Sequence, residues 1–218
     1  MRLFNLITGL LFYAFGIVIT IKANIGYSPW DVFHVGLTIK TGLNLGTISI
    51  LVGLAILLIV ILLKEKFGLG TILNIVLIGL LINIIFPFIP IAVNAIIGII
   101  MLISGLFIIA MGTYFYIKSA FGAGPRDSLM VVLTRKTKLP AGLCRSIIEL
   151  SVTILGWIMG GMVGAGTVIS VIAIGFFIQT VFKIFKFDVT SVKHETIGNT
   201  FVSLKEIIRQ GKKERAET

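Results

Sequence analysis

The chain has 218 residues, of which 57 % are hydrophobic and only 13 % charged, and its mean hydropathy is +1.10. An ordinary soluble domain carries about 25 % charged residues, so this composition excludes a water-covered globular surface and implies a lipid-facing one. The formal net charge of +10 does not indicate nucleic-acid binding, because the basic residues lie between and after apolar runs, as in the cytoplasmic loops of membrane proteins.

The N-terminus runs from Met1-Arg2-Leu3 straight into an apolar segment that continues to Ile21. That length suits a retained first span rather than a cleaved signal. Six stretches are long enough, or nearly so, to cross a bilayer as helices: about Leu3–Ile21, Gly46–Leu63, Thr71–Phe88, Val93–Ile117, Leu143–Gly160 and Thr167–Phe185. Two more, Pro29–Lys40 and Pro125–Lys136, are apolar but too short to cross unaided, and are expected as re-entrant or interfacial helices. Beyond Asp188 the chain turns polar. Ile197, Phe201, Leu204 and Ile208 fall on one helical face beside Lys205, Arg209, Lys212 and Lys213. This pattern predicts a cytosolic amphipathic helix on the anionic leaflet or against a cytosolic partner.

The sequence matches itself without gaps at an offset of 96 residues. Gly26 meets Gly122, Pro29-x-Asp31 meets Pro125-x-Asp127, Lys40-Thr41 meets Lys136-Thr137, and Gly68-x-Gly70-Thr71 meets Gly164-x-Gly166-Thr167. There are roughly two dozen identities over about 78 positions, at Gly, Pro, Asp and Lys as well as at apolar residues, which marks an internal duplication. The expected organisation is a first membrane repeat over 1–92, a second over 93–187 and a basic tail over 188–218. The expected fold is an all-α membrane bundle of about six spans, with one short helix in each repeat.

Three spans per repeat would invert the second copy relative to the first, and charge agrees. With the N-terminus inside, the cytoplasmic segments hold Arg2, Lys64-Glu65-Lys66, the Lys118–Gly142 connection and the tail, whereas the turns at Phe86–Ile91 and Gly160–Gly166 carry no charge. Between copies, Trp30 becomes Arg126, Ile39 becomes Arg135, and Lys64-Glu65-Lys66 becomes Gly160-Gly161-Met162. Both termini are therefore expected in the cytoplasm of a bacterial cell, with the bundle in its inner membrane.

The polar residues within the apolar segments are the candidate site. Ser28, Pro29 and Asp31 have the order of a helix start, with Ser28 as N-cap, Pro29 at N1 and Asp31 in a capping box, and Gly124, Pro125 and Asp127 repeat it. Two interrupted segments at matching places in inverted halves also mark solute sites in transporters, where Asp31 and Asp127 would attract a cation or a proton. Glu149 pairs with Arg145 one turn earlier, or serves as an intramembrane carboxylate for ion coupling. Asn74, Asn83 and Gln179 suit interhelical hydrogen bonds or a pore lining. Lys22 and Lys118 end the first span of each copy, either snorkelling to the headgroups or paired with the aspartate nine residues on. The lone Cys144 excludes an internal disulfide and a cysteine-based metal site, and His34 and His194 lie in segments far apart, so no metal or other cofactor is expected. No phosphate-binding loop and no nucleophile–histidine–acid set is present, so the chain is not expected to be an enzyme.

The run GYSPWDVFHVGLTIKTGLNLGT and its echo GAGPRDSLMVVLTRKTKLPAG resemble the YczE/YyaS/YitT group of bacterial membrane proteins, most nearly the YczE branch. The resemblance covers about Leu3 to Phe185, and the second copy departs from the pattern where Lys138 stands in the place of Gly42. It implies an inner-membrane protein of about six helices and names no substrate. The leading functional expectation is a small permease for a solute or ion. The alternative is an accessory membrane protein acting on a second copy or on a cytosolic partner through the Lys118–Gly142 connection and the tail.

Overall fold

The computed structural model describes residues 2–65, 67–122 and 124–187. The described residues form eight α-helices and one short 3-10 turn. They are α1 (Arg2–Lys22), α2 (Pro29–Thr41), α3 (Leu45–Leu62), α4 (Leu69–Ile85) with the 3-10 turn Phe86–Phe88, α5 (Ala95–Lys118), α6 (Pro125–Thr137), α7 (Ala141–Ile158) and α8 (Ala165–Ile184). The six long apolar stretches fall on α1, α3, α4, α5, α7 and α8, and the two short ones on α2 and α6. The expected tail helix around Ile197, Phe201, Leu204 and Ile208, with its lysines and with His194, lies outside the described residues.

Among the described residues, five segments are long and apolar enough to cross a bilayer: Arg2–Lys22, Leu45–Leu62, Leu69–Phe88, Ala95–Lys118 and Ala165–Ile184. α7 matches α3 in length, at 18 residues, but its apolar run is broken by Arg145 and Glu149. Leu58, Ile100, Leu150, Ile172 and Phe176 lie exposed on the outside of the bundle. An exterior of this kind suits hydrocarbon, where helices satisfy their own backbone groups.

The centre of the bundle is the antiparallel crossing of α1 and α5. Gly9 lies on Gly112, and Gly16 on Gly105: a Cβ at Gly112 would sit 2.8 Å from the Gly9 carbonyl oxygen, and one at Gly16 would sit 2.8 Å from that of Gly105. Small residues let the two backbones approach this closely, which is how membrane helices gain packing energy without a hydrophobic driving force. Leu6, Leu10, Ala14 and Val18 of α1 and Leu102 and Ala110 of α5 are fully buried beside this crossing. α4 packs on α1 and α8 on α5. The short helices cross over: α2 packs on α7, with Gly36 against the Gly156 carbonyl, and α6 packs on α3. Arg135 of α6 closes the end of the second contact with hydrogen bonds of 2.7 and 2.9 Å to Glu65.

The turns after α1 and α5 require glycine. Gly26 has φ +114° and lies against the backbone of Gly164; Gly122 has φ +126° and lies against Gly68. A side chain at either would be strained by the backbone angle and blocked by the neighbour. The same two places join by backbone hydrogen bonds, Gly70 N–H to the Phe121 carbonyl and Gly166 N–H to the Ile25 carbonyl, both 2.8 Å. α4 and α8 start as expected of their Gly-x-Gly-Thr sequences. Thr71 Oγ1 accepts from Gly68 N–H and Thr167 Oγ1 from Gly164 N–H, each at 3.2 Å.

One local expectation changes. Ser28 is the N-cap of α2 with proline following, but its hydroxyl makes no bond to the helix backbone. It donates to the Asp31 carboxylate instead, so the two side chains satisfy each other and no reciprocal capping box forms. At the far end of the short helices, Gly42 (φ 73°) and Lys138 (φ 59°) both take the left-handed C-cap conformation. The lysine holds it without the freedom of a glycine.

The largest difference between the halves is at two helix seams. α3 packs along α4, where a Cβ on Gly46 would fall 1.9 Å from the Gly79 carbonyl oxygen. Asn83 spans that seam, accepting from Gly46 N–H at 2.9 Å and donating to Thr47 Oγ1 at 3.3 Å. The residues 96 positions on are Gly142, Gly175 and Gln179. A Cβ on Gly142 or on Gly175 would meet nothing within 4 Å, and α7 does not lie along α8 as α3 lies along α4.

Candidate functional site

A cavity of about 350 Å³ lies between the halves and takes wall residues from all eight helices. Its lining is built from pairs 96 residues apart: Tyr13 with Ile109, Ile17 with Thr113, Trp30 with Arg126, His34 with Met130, Ser49 with Arg145, and Gly53 with Glu149. The first half supplies uncharged members of these pairs: aromatic residues, Ile17, Ser49 and Gly53. The formally charged side chains in the wall, Arg126, Asp127, Arg145 and Glu149, all come from the second half.

Trp30 and Arg126 hold the second position of α2 and of α6 respectively, and they meet. The Arg126 guanidinium carbon stands 4.7 Å from the Trp30 ring centroid, a cation–π contact strengthened by the removal of water. The short helices therefore begin at the cavity from its two sides. Prolines at their first turn set the local angles and leave the remaining N-terminal N–H groups directed along the helix axes.

Two buried polar atoms of the cavity wall have no hydrogen-bond partner, His34 Nε2 and Tyr116 Oη, in side chains 2 % and 5 % exposed. Buried polar groups are costly when unsatisfied, and here both border a cavity large enough for a small solute. His34 Nδ1 lies 4.0 Å from Asp31 Oδ1, with the Trp30 and Phe33 rings on either side. Arg145 Nε donates to Glu149 Oε1 at 2.9 Å, one turn apart. This is the local pair that the spacing suggested, and it lies in the cavity wall.

The sequence-derived candidates divide. Asp127, Pro125 and Glu149 line the cavity, as does Asn74. Asp31 is buried at 3 % exposure in the first turn of α2, bonded to Ser28 and backing His34. Pro29 is buried in the same turn. Asn83 lies in the α3–α4 seam as an interhelical hydrogen bonder, and Gln179 lies exposed on α8. Lys22 Nζ sits 3.9 Å above the Phe86 ring and Lys118 Nζ donates to Tyr114 Oη at 2.9 Å. Several aromatic, polar and charged contributors were not among the candidates: Tyr13, Trp30, His34, Ser49, Thr113, Tyr116 and Arg126. The sequence signal for Arg126 is its exchange with Trp30, a change that also suits a cytoplasmic loop charge.

The chain matches the family of unknown function DUF6198 over residues 1–183. It is similar to the uncharacterized membrane protein YczE of Bacillus subtilis, 38 % identical over 174 residues that cover 78 % of this chain and 80 % of the relative. A protein of Haemophilus influenzae is 35 % identical over 159 residues, 73 % of each chain. YyaS of Bacillus subtilis is 28 % identical over 168 residues, 75 % of this chain and 83 % of the relative. No solved structure matches. With its apolar helices and lipid-suited exterior, the chain belongs to the DUF6198 family and is a multi-pass helical membrane protein related to YczE and YyaS.

Proposed function

We propose that the chain is a permease for a small dipolar solute, built from two inverted repeats of three spans and one re-entrant helix each. α7 is the sixth span in this reading, its Arg145–Glu149 pair facing the cavity rather than lipid. The observation that carries the proposal is the cavity between the halves, walled by equivalent positions of both and entered by the starts of both short helices. Discontinuous segments meeting at the repeat interface are the usual construction of solute sites in transporters. Reciprocal contacts support the inversion: Gly9 on Gly112 with Gly16 on Gly105, and Gly26 on Gly164 with Gly122 on Gly68, exchange partners as a two-fold relation requires.

The wall chemistry suggests the solute class. Arg126 offers a planar cation, His34 and Tyr116 offer unused polar atoms, and Asp127 and Glu149 offer carboxylates. A small molecule with a carboxylate at one end and a donor or ammonium at the other matches both signs. No covalent step is part of this function, and the protein acts without a cofactor. By the distribution of lysine and arginine, the termini and the α6–α7 connection lie on the cytoplasmic side of the bacterial inner membrane.

The test is reconstitution into liposomes with a panel of radiolabelled small zwitterions and carboxylates. Uptake that falls at least tenfold in Arg126→Ala, with the variant still monodisperse in detergent, supports the proposal. If no solute in the panel moves, and none changes the fluorescence of Trp30 in a Trp157→Phe background, the permease reading fails and the accessory one takes its place.

A further inference from the structure

We infer that α7 closes onto α8 in a second state of this protein, making at Gly142, Gly175 and Gln179 the seam that α3 and α4 already make at Gly46, Gly79 and Asn83. The inference rests on the permease reading and supplies its moving part.

The seam residues are the same kinds in both halves, and only one set is in use. Gly46 and Gly79 are buried where two backbones nearly touch. Gly142 and Gly175 are exposed and face open space. A glycine on an open helix face weakens its helix and gains no packing in return. Its presence is explained by a state in which another backbone comes as close as Gly79 comes to Gly46. The polar residues agree. Gly46 N–H is one of the donors left free at the start of α3, and Asn83 satisfies it. Gly142 N–H holds the same place at the start of α7, and Gln179 is the amide 96 positions after Asn83. An exposed amide on a lipid-facing helix lacks such a partner in hydrocarbon; closure provides one.

The position of the open seam gives the motion its use. Arg145, Ile148 and Glu149 of α7 and Ile174, Ile178 and Phe182 of α8 line the central cavity from helices that are apart. The closed seam joins the start of α3 to the end of α4, and the open one separates the start of α7 from the end of α8. In the inverted arrangement these are opposite faces of the membrane. The described state is thus open towards the face bearing Arg135, Lys136 and Lys138, and closing α7 while opening α3 exposes the cavity to the other side.

Disulfide trapping in proteoliposomes tests this without a known solute. In a Cys144→Ser background, Leu143→Cys with Gln179→Cys probes the open seam, because the equivalent residues Thr47 and Asn83 touch across the closed one. The pair is expected to cross-link with copper phenanthroline, and Gly175→Leu is expected to slow cross-linking at least tenfold, since the leucine blocks closure while having open space in the described state. Failure to cross-link, with each single cysteine reactive to maleimide, overturns the inference. Equal cross-linking with Gly175→Leu overturns it as well. A seam that stays open while a solute still crosses leaves the permease reading standing and points to a channel. A seam that closes in a protein that moves nothing keeps the inference and sinks that reading.

Discussion

Gly46 and Gly142 occupy equivalent places at the starts of α3 and α7, yet alanine should have opposite effects at the two. At Gly46 the new methyl would lie 1.9 Å from the Gly79 carbonyl oxygen, 2.7 Å from Asn83 Cγ and 2.7 Å from Asn83 Oδ1. The first contact is with backbone, so relief requires the two helices to separate by about an ångström or more. Overpacking of this kind costs typically 1–3 kcal/mol, and this contact belongs at the upper end. Alanine recovers up to about 1 kcal/mol of helix propensity, and loss of the Asn83–Gly46 hydrogen bond takes back about 0.6, leaving a net destabilisation of about 2.5 kcal/mol. At Gly142 the methyl meets nothing, so only the propensity gain of up to about 1 kcal/mol remains. The two variants should therefore differ by up to about 3.5 kcal/mol, or roughly 7–14 °C in melting temperature for a chain of this length. Thermal unfolding in detergent, followed by the emission of the buried Trp30 in a Trp157→Phe background, measures it. Equal destabilisation by both variants would mean that α7 and α8 are packed together in the resting protein, and that the seam asymmetry described above is wrong.

The Asn83 and Gln179 pair gives a companion result. Asn83→Ala should cost about 0.6–1.7 kcal/mol, the range for hydrogen bonds between membrane helices, whereas Gln179→Ala should leave the melting temperature unchanged. Lys138→Gly should stabilise the protein by about 1 kcal/mol, because a left-handed residue with a Cβ costs about 1–2 kcal/mol; a lower melting temperature would contradict the φ of 59°. Arg135→Ala, which removes an exposed partner of Glu65, should change stability by less than about 1 kcal/mol. A larger loss would show the α3–α6 contact to depend on that ion pair. Glu149→Gln should leave folding intact and reduce uptake of any identified solute at least tenfold, since its carboxylate lines the cavity. Unchanged uptake would remove it from the site.

Most of the helical framework was visible in the sequence, because hydrocarbon imposes long apolar helices and tolerates few alternatives. Pro29 and Pro125 marked the starts of the short helices to the residue, and the Gly-x-Gly-Thr turns marked those of α4 and α8 to within two. The capping of α2 was less legible: Ser28 and Asp31 have the spacing of a capping box, and only three-dimensional placement shows the two side chains bonding to each other. The site was half legible. Asp127 and Glu149 stood out as carboxylates in apolar surroundings, but Tyr13 and Tyr116 looked like ordinary span residues. They reach the cavity because the glycine crossing brings α1 and α5 together, a contact made by residues about a hundred positions apart. The open seam was not legible at all, since identical glycines sit in the closed one.

The meeting of Trp30 and Arg126 also bears on how such a chain could arise. A half-length protein pairing with itself in opposite orientations would bring two identical side chains together at this point. Two arginines there would repel, and two tryptophans would offer no cation to the cavity. Joining the halves in one polypeptide frees the two copies of the position to differ, and here one supplies the ring and the other the charge. A single polypeptide can thus hold a lopsided centre, ring on one side and cation on the other, that no symmetric dimer could hold.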